Sequence, residues 1–396
     1  MRLEYILNTN ATEKVLTLIK EVFIMPNTLT INPGVLLHYV NNAEIPYEIL
    51  QEKCKYIDLF LSGAKQPTFK QLSEVAKKLN VPTGLLLLPT PINVEASKLE
   101  FRTVGSNEIG RMSDNLRDTI TDMEKKQDFL RDMLEAELSF IGSISIKNDI
   151  EITAEYVRSL LKIPTLWQGL VDDKSDAFKF FRSRINSMGT FVFVDGIARQ
   201  NTKRTFDTNE FRGFTLLDKK APIIFINSTD SDAGRLFTLI HEFVHLLLGS
   251  SGIVNKIYLD SYAFSPVETF ANKVTAEILV PSSVLLNNSN YDISKLSREF
   301  KVSEYVIARR LLDFNIMTSS DYQVYVRELT QMYESKKSVQ KKSTGGNYYN
   351  NVKFKIDNSF FHTVKNAIYT DKITYTQAFD ILGLSQKVFK KLEGEL

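Results

Sequence analysis

Apolar residues recur at helical intervals in the N-terminal part of the chain. One such series comprises Leu72, Val75, Ala76 and Leu79. Pro82 follows the series and ends the predicted helix. A more polar amphipathic pattern over residues 111–138 predicts a long helix with one face in solvent. We therefore predict a small helical module over residues 1–95, and a linker with a long helix over residues 96–150.

The middle of the chain changes to short runs of β-branched and aromatic residues. These runs are TFVFV at 190–194, FTLL at 214–217 and PIIFIN at 222–227. A strongly apolar helix follows over Leu236–Leu248 and ends at Gly249. A second helix has Ser265 at its cap position and is closed by Pro281. We therefore predict an α+β core with a small sheet over residues 151–290.

Helical patterns resume after this core. Residues 293–312 predict two short helices joined near Lys301, an arrangement typical of a helix-turn-helix. Thr374 and Gln377 form a predicted capping box at the start of a last helical pair. The segments predicted beyond the core are helix-turn-helix-like helices at 291–335, a flexible linker at 336–347 and a C-terminal helical module at 348–396. The whole chain is predicted to be predominantly α-helical.

Composition narrows the class of protein. Of the 396 residues, 43% are hydrophobic and 24% are charged, as in ordinary soluble globular proteins. The net charge of +2 gives little support to nucleic-acid binding by the whole chain. Cys54 is the single cysteine, which excludes an internal disulfide and a cysteine-rich zinc site. The chain shows neither a signal sequence nor an apolar run of about 18 residues, so we predict a cytoplasmic protein without a membrane partner.

Polar residues interrupt the apolar helix at three neighbouring positions. His241 and His245 are separated by one helical turn, so both imidazoles project from one face and can reach the same metal ion. Glu242 stands beside the first histidine, where it can act on the attacking water as a general base. This H-E-x-x-H arrangement predicts a zinc metallopeptidase. The alternative is a pair of buried structural histidines, which would cost considerable free energy without a metal.

The two histidines need a further protein ligand. His38 and His362 are distant in sequence, so a carboxylate is the better candidate. Glu268 lies on the next predicted helix, which would face the first after an antiparallel return. The same residue could instead complete a capping box with Ser265. Glu277 is the alternative ligand, although we expect it to have a supporting or structural role.

These residues resemble the ImmA/IrrE family of metallopeptidases, cytoplasmic bacterial and phage enzymes that cleave a partner repressor. The resemblance rests on EFRGFTLLDKKAPIIFIN at 210–227, FTLIHEFVHLLLG at 237–249 and ETFANKVTAEILVP at 268–281. It implies a zincin-like core in which His241, His245 and Glu268 bind Zn²⁺. It also implies a protein substrate, a transcriptional repressor or antitoxin, in a regulatory, stress-response or toxin–antitoxin module.

The resemblance extends upstream of the core. FLSGAKQPTFKQLSEVAKKLNVP at 60–82 is similar to the closing part of an Xre-type helix-turn-helix domain, and FRT at 101–103 occurs in fused members. Residues 47–58, where a recognition helix would lie, carry acidic as well as basic side chains and little that reads base edges. Two interpretations of the N-terminal module stay open, DNA binding and the docking of a protein partner.

Two functions are therefore predicted as alternatives. The first is a zinc endopeptidase, and the second is a DNA- or protein-binding regulator or antitoxin that keeps the peptidase fold but acts by binding. Glu242 favours the enzyme, because a structural zinc site needs no base. Tyr262, between the metal-bearing helices, is the candidate oxyanion stabiliser. The substrate is predicted to lie along an exposed edge of residues 214–217 or 222–227. The oligomeric state is left open.

Overall fold

The computed structural model describes residues 28–41, 47–79, 81, 83–91, 112–250, 252–254, 266–339 and 348–394. The chain divides into two compact units, residues 1–99 and residues 100–396. The finer segment boundaries given above stay predictions. None of the helices in the described ranges combines the length and the apolar character needed to cross a membrane.

Short helices build the N-terminal unit. They are α1 Pro33–Asn41, α2 Tyr47–Lys53, α3 Ile57–Leu61 and α4 Phe69–Lys78, followed by a 3-10 turn at Thr83–Leu87. Helix α4 begins at a capping box between Thr68 and Gln71. Its apolar face buries Leu72 and Val75 in a core that also contains Leu50. The helical spacing predicted for this stretch is confirmed.

The second unit combines helices with a small sheet. Its leading helices are α5 Asp114–Met133, α6 Ile150–Leu161 and α7 Lys174–Ser187, with 3-10 turns at Trp167–Leu170 and Ala198–Gln200. The strands are β1 Phe191–Asp195, β2 Gly213–Leu216, β3 Ile223–Asn227 and β4 Gly252–Val254, with α8 Asp232–Leu248 between β3 and β4. The remaining helices are α9 Pro266–Leu279, α10 Ser282–Leu285, α11 Ile293–Glu299, α12 Glu304–Asp313, α13 Ser319–Val339, α14 Tyr348–Lys355, α15 Asn358–Tyr369, α16 Tyr375–Leu382 and α17 Gln386–Glu393. The predicted, predominantly helical α+β class is confirmed.

The sheet has the strand order β1-β3-β2-β4. Strand β1 runs parallel to β3, and β2 runs antiparallel to both β3 and β4. The prediction that a substrate pairs with an exposed edge of residues 214–217 or 222–227 is wrong. Both strands are internal, because β3 lies between β1 and β2, and β2 lies between β3 and β4.

The two faces of the sheet have different roles. Thr215 and its register partner Ile224 point to one face, and Phe214 and its partner Phe225 point to the other. The rings of Phe214 and Phe225 stack with their centroids 5.1 Å apart. Ile224 belongs to the same buried core as Ile240 of α8. Thr215 therefore lies on the face of the sheet that packs against α8.

Helices α11 and α12, predicted to resemble a helix-turn-helix, are built into this core. Leu296, Val306 and Leu311 are buried in the same apolar cluster as the residues of α8. Arg310 of α12 is also buried and forms an ion pair with Glu277 of α9. The hairpin is thus a structural part of the second unit.

Side chains close the outer edge of β1. The carboxylate of Asp357 accepts the backbone N–H of Val192 at 2.8 Å. Arg182 of α7 donates to the carbonyl oxygen of Val192 at 2.6 Å and to that of Ile356 at 3.0 Å. These bonds fasten the start of α15 to the sheet, so the C-terminal helices stabilise β1.

Candidate metal centre

Helix α8 carries the two histidines through the core of the second unit. It begins at Ser231, whose hydroxyl accepts the N–H of Gly234, and ends at Gly249 in the left-handed conformation with φ 67°. Every side chain from Leu236 to Leu247 is buried. A helix buried on all sides is normally apolar all round, so the polar residues within it require partners.

His241 and His245 meet on one face of α8. Their Nε2 atoms lie 2.9 Å apart, and their ring centroids lie 4.7 Å apart. The exposed fraction is 0% for His241 and 2% for His245. Two buried imidazole nitrogens that converge on one point are arranged as ligands of one metal ion are.

Glu268 reaches both histidines from α9. One carboxylate oxygen lies 3.2 Å from Nε2 of His241, and the other lies 3.1 Å from Nε2 of His245. The possible ligand atoms of the three residues all lie within 4.8 Å of one another. A single metal ion could bind to all of them. Ser265 and Tyr262 lie outside the described residues, so the capping box and the oxyanion stabiliser stay predictions.

Glu277, the alternative ligand, lies elsewhere. Its carboxylate pairs with Arg310 and accepts the backbone N–H of Ser282 at 2.9 Å and the hydroxyl of Ser282 at 3.0 Å. Glu277 and Arg310 are both buried. The carboxylate of Glu277 therefore joins α9 to α12 and does not belong to the group around the histidines.

Glu268 and the histidines alter one another's ionisation. Burial alone would raise the pKa of Glu268, but the hydrogen bonds to His241 and His245 outweigh it and hold that pKa far below the usual range. Burial lowers the pKa of His241. For His245, the hydrogen bond to Glu268 overcomes the effect of burial and raises the pKa. At neutral pH Glu268 is thus an anion and His241 is neutral, which are the forms that bind a metal, whereas a metal ion would have to displace the proton that the raised pKa of His245 favours.

Glu242 is buried beside this group with only one carboxylate oxygen engaged. Its Oε2 accepts a hydrogen bond from the hydroxyl of Thr215 at 2.6 Å. Its Oε1 is buried and has no hydrogen-bond partner among the described residues. Burial raises the pKa of Glu242 to about 7. A carboxyl group with that pKa can accept and return a proton near neutral pH.

The donor set fits a divalent ion of the zinc type. Two imidazole nitrogens and one carboxylate are the protein ligands of a common class of catalytic zinc site, whereas calcium and magnesium prefer oxygen ligands alone. The buried, unpartnered Oε1 of Glu242 also indicates a polar group that the described residues do not supply. The residues present therefore fit Zn²⁺ in a peptidase-type site.

Several further side chains contact this group, and the sequence does not predict two of them, Ser250 and Thr215. The hydroxyl of Ser250 lies 3.0 Å from Nδ1 of His245, and its backbone N–H donates to the carbonyl of His245 at 3.0 Å. A proton held at Nδ1 leaves Nε2 free to bind a metal. Thr215 contacts Glu242 in the way described above. The only signal in the sequence for Ser250 is a hydroxyl residue after the end of α8. The only signal for Thr215 is a hydroxyl residue within an apolar strand.

The sequence around these residues is similar to a known peptidase family. Residues 188–312 match the family model of the IrrE N-terminal-like domain, Peptidase_M78. The matched segment contains His241, Glu242, His245 and Glu268, supports the resemblance to the ImmA/IrrE family and indicates a metallopeptidase-like domain. The Xre-type module lies outside the matched segment and stays a prediction. Neither the curated proteins nor the solved structures include a match to this chain.

Proposed function

We propose that this chain is a zinc-dependent endopeptidase that cleaves a partner protein. One observation carries the proposal. The side chains of His241, His245 and Glu268 converge within 4.8 Å of one another. Beside them Glu242 is buried and keeps one carboxylate oxygen free of hydrogen bonds from the described residues.

Each of these residues has its own role in the proposed reaction. His241, His245 and Glu268 would hold Zn²⁺. When bound, zinc polarises the scissile carbonyl and lowers the pKa of a water molecule toward about 7. Glu242 orients the attacking water, accepts its proton at Oε1 and returns the proton to the nitrogen of the leaving amine. The apolar side chains of α8 limit access of further water, so the charges of these groups are weakly screened.

The substrate backbone is proposed to lie along the outer edge of β4. On its inner side β4 pairs with β2, where Gly252 is opposite Thr215, and Thr215 contacts Glu242. Within the described ranges no strand pairs with the other side of β4. An extended peptide added there gains backbone hydrogen bonds close to Glu242. A proline scan of the substrate should find one residue whose N–H is required. If proline is tolerated at every position, this placement is wrong.

A transcriptional repressor or an antitoxin is the proposed substrate class. The ImmA/IrrE resemblance supports this choice, as it supports a bacterial or phage regulatory, stress-response or toxin–antitoxin setting. A cytoplasmic location is proposed on the same ground. The alternative function, regulation by binding alone, needs the fold but no proton transfer at Glu242.

Cleavage of candidate partners tests the proposal. Purified, zinc-loaded protein is incubated with each protein encoded beside its gene, and the products are weighed by intact mass spectrometry. We expect two fragments whose masses add up to the substrate plus one water. Glu242→Gln should retain zinc and cleave about 10²- to 10⁴-fold more slowly, because it lacks the base. Equal cleavage by Glu242→Gln would contradict the assigned role, and function in vivo without any cleavage would support the binding regulator.

A further inference from the structure

The contact between Thr215 and Glu242 joins the sheet to the metal-bearing helix at a buried point. The hydroxyl of Thr215 donates to Oε2 of Glu242 at 2.6 Å, across 27 positions of sequence. Thr215 is 2% exposed and Glu242 is 0% exposed. Hydrogen bonds of this length from a hydroxyl to a carboxylate are charge-assisted and stronger than neutral ones.

The position of Thr215 is fixed by its neighbours. Strand β2 is paired on both sides at this residue, with Ile224 on one side and Gly252 on the other. A β-branched side chain also has few χ1 rotamers available. The donor oxygen is therefore held in place by the sheet, whereas the terminal torsion of a glutamate is intrinsically broad.

We propose that Thr215 is a positioning residue for Glu242. By binding Oε2 it fixes the plane of the carboxylate and leaves Oε1 as the oxygen that receives the proton. This inference rests on the proposed peptidase function. It assigns different tasks to the two carboxylate oxygens, which the H-E-x-x-H motif alone does not distinguish.

If the side chain at position 215 had a purely structural role, we would expect an apolar residue there rather than threonine. At a buried position facing an apolar helix, valine has the same shape and no hydroxyl to desolvate. The hydroxyl is useful only through its partner, and its shortest hydrogen bond is to the side chain of Glu242. A second contact, to the backbone carbonyl of Glu242 at 3.3 Å, uses the same hydrogen and is longer.

The test uses the full-length, zinc-loaded chain and acetohydroxamic acid as the probe. This small acid chelates zinc and gives up its N–OH proton on binding, so its affinity depends on a correctly placed base. Binding is measured by calorimetry for Thr215→Val, Thr215→Ser, Glu242→Gln and the double variant Thr215→Val/Glu242→Gln. Thr275→Val on α9 is the matched control, because Thr275 is also fully buried and its hydroxyl has no hydrogen-bond partner among the described residues.

We expect Thr215→Val to keep its zinc and to bind the probe about 10-fold more weakly, the scale of one lost hydrogen bond to a charged group. Thr215→Ser and Thr275→Val should bind within about 3-fold of wild type, since neither loses that bond. In the Glu242→Gln background, Thr215→Val should have no further effect, because the base is already absent. Additive effects in the double variant, or unchanged affinity in Thr215→Val, would overturn the proposal. Absence of zinc from the wild-type protein would instead overturn the proposed function.

Discussion

Hydroxyl groups orient two of the residues in the candidate metal centre. Thr215 engages one oxygen of Glu242, and Ser250 engages Nδ1 of His245. Side chains in such positions fix the tautomer and the orientation of the groups that act on the metal or the substrate. The geometry of the centre therefore depends on residues that are not themselves ligands.

Ser250 offers a test at the level of one residue. In Ser250→Ala the Nδ1 atom of His245 loses its partner, so the ring is less well held and metal affinity should fall about 10- to 100-fold. Ser250→Thr keeps the hydroxyl and should retain most of the affinity. Zinc competition with a chromophoric chelator measures the effect, and Ser283→Ala, at an exposed position of α10, is the control. Wild-type affinity in Ser250→Ala would show that this contact is incidental.

The sequence predicts the part of the centre formed by residues close together in the chain. It misses a contact between residues that are far apart in the chain. His241, Glu242 and His245 lie on one helix, so their spacing alone determines which side chains share a face. Glu268 is a candidate because it lies in the first turn of the next helix. Thr215 could not be selected, because its contact with Glu242 depends on how β2 packs against α8.

Among the helices and strands, the short strand β4 has the largest effect on where we place the substrate. Its three residues, Gly252–Val254, are too few to give a hydrophobic alternation. Pairing of β4 with β2 nevertheless makes β2 an internal strand. The longer runs of β2 and β3 were predicted as strands because their β-branched and aromatic residues are distinctive. Strand order depends on the tertiary fold, and for this reason the exposed edge was wrongly predicted.

The ion pair between Glu277 of α9 and Arg310 of α12 allows a test that distinguishes a structural carboxylate from a metal ligand. Glu277→Gln should leave Arg310 buried without its counter-charge and lower the free energy of unfolding by about 3–5 kcal/mol. Zinc content should stay at about one ion per chain, because Glu277 lies outside the ligand group. Urea unfolding and elemental analysis give the two values. The apolar pair Glu277→Leu/Arg310→Met should restore much of the stability, and loss of zinc in a stably folded Glu277→Gln would make Glu277 a ligand.

The whole molecule separates into two units, and the candidate metal centre belongs entirely to the second. In the N-terminal unit, Tyr47 and Gln51 of α2 both donate to the carboxylate of Asp58. Polar side chains of this helix are thus engaged within the protein, next to a negative charge. We propose that this unit docks a protein partner rather than reading base edges.

Removal of the N-terminal unit tests this division of roles. A variant without residues 1–95 should keep the zinc content of the full chain and lose most of its cleavage of the natural partner. Any affinity of the full chain for duplex DNA should be weak and should fall steeply with salt, because phosphate contacts release counterions. Zinc loss on truncation would contradict the independence of the second unit. Tight, salt-insensitive and sequence-specific DNA binding would favour the regulator.

The zinc content of three purified proteins tests the central claim most directly. Elemental analysis of chelator-free preparations should find about one zinc per chain in the wild type and in Glu242→Gln, since Glu242 acts on the proton and not on the metal. Glu268→Gln should contain far less, because a neutral amide is a poor ligand for zinc. A wild-type protein without zinc, or a Glu268→Gln variant that retains all of it, would contradict the assignment of His241, His245 and Glu268 as the metal site.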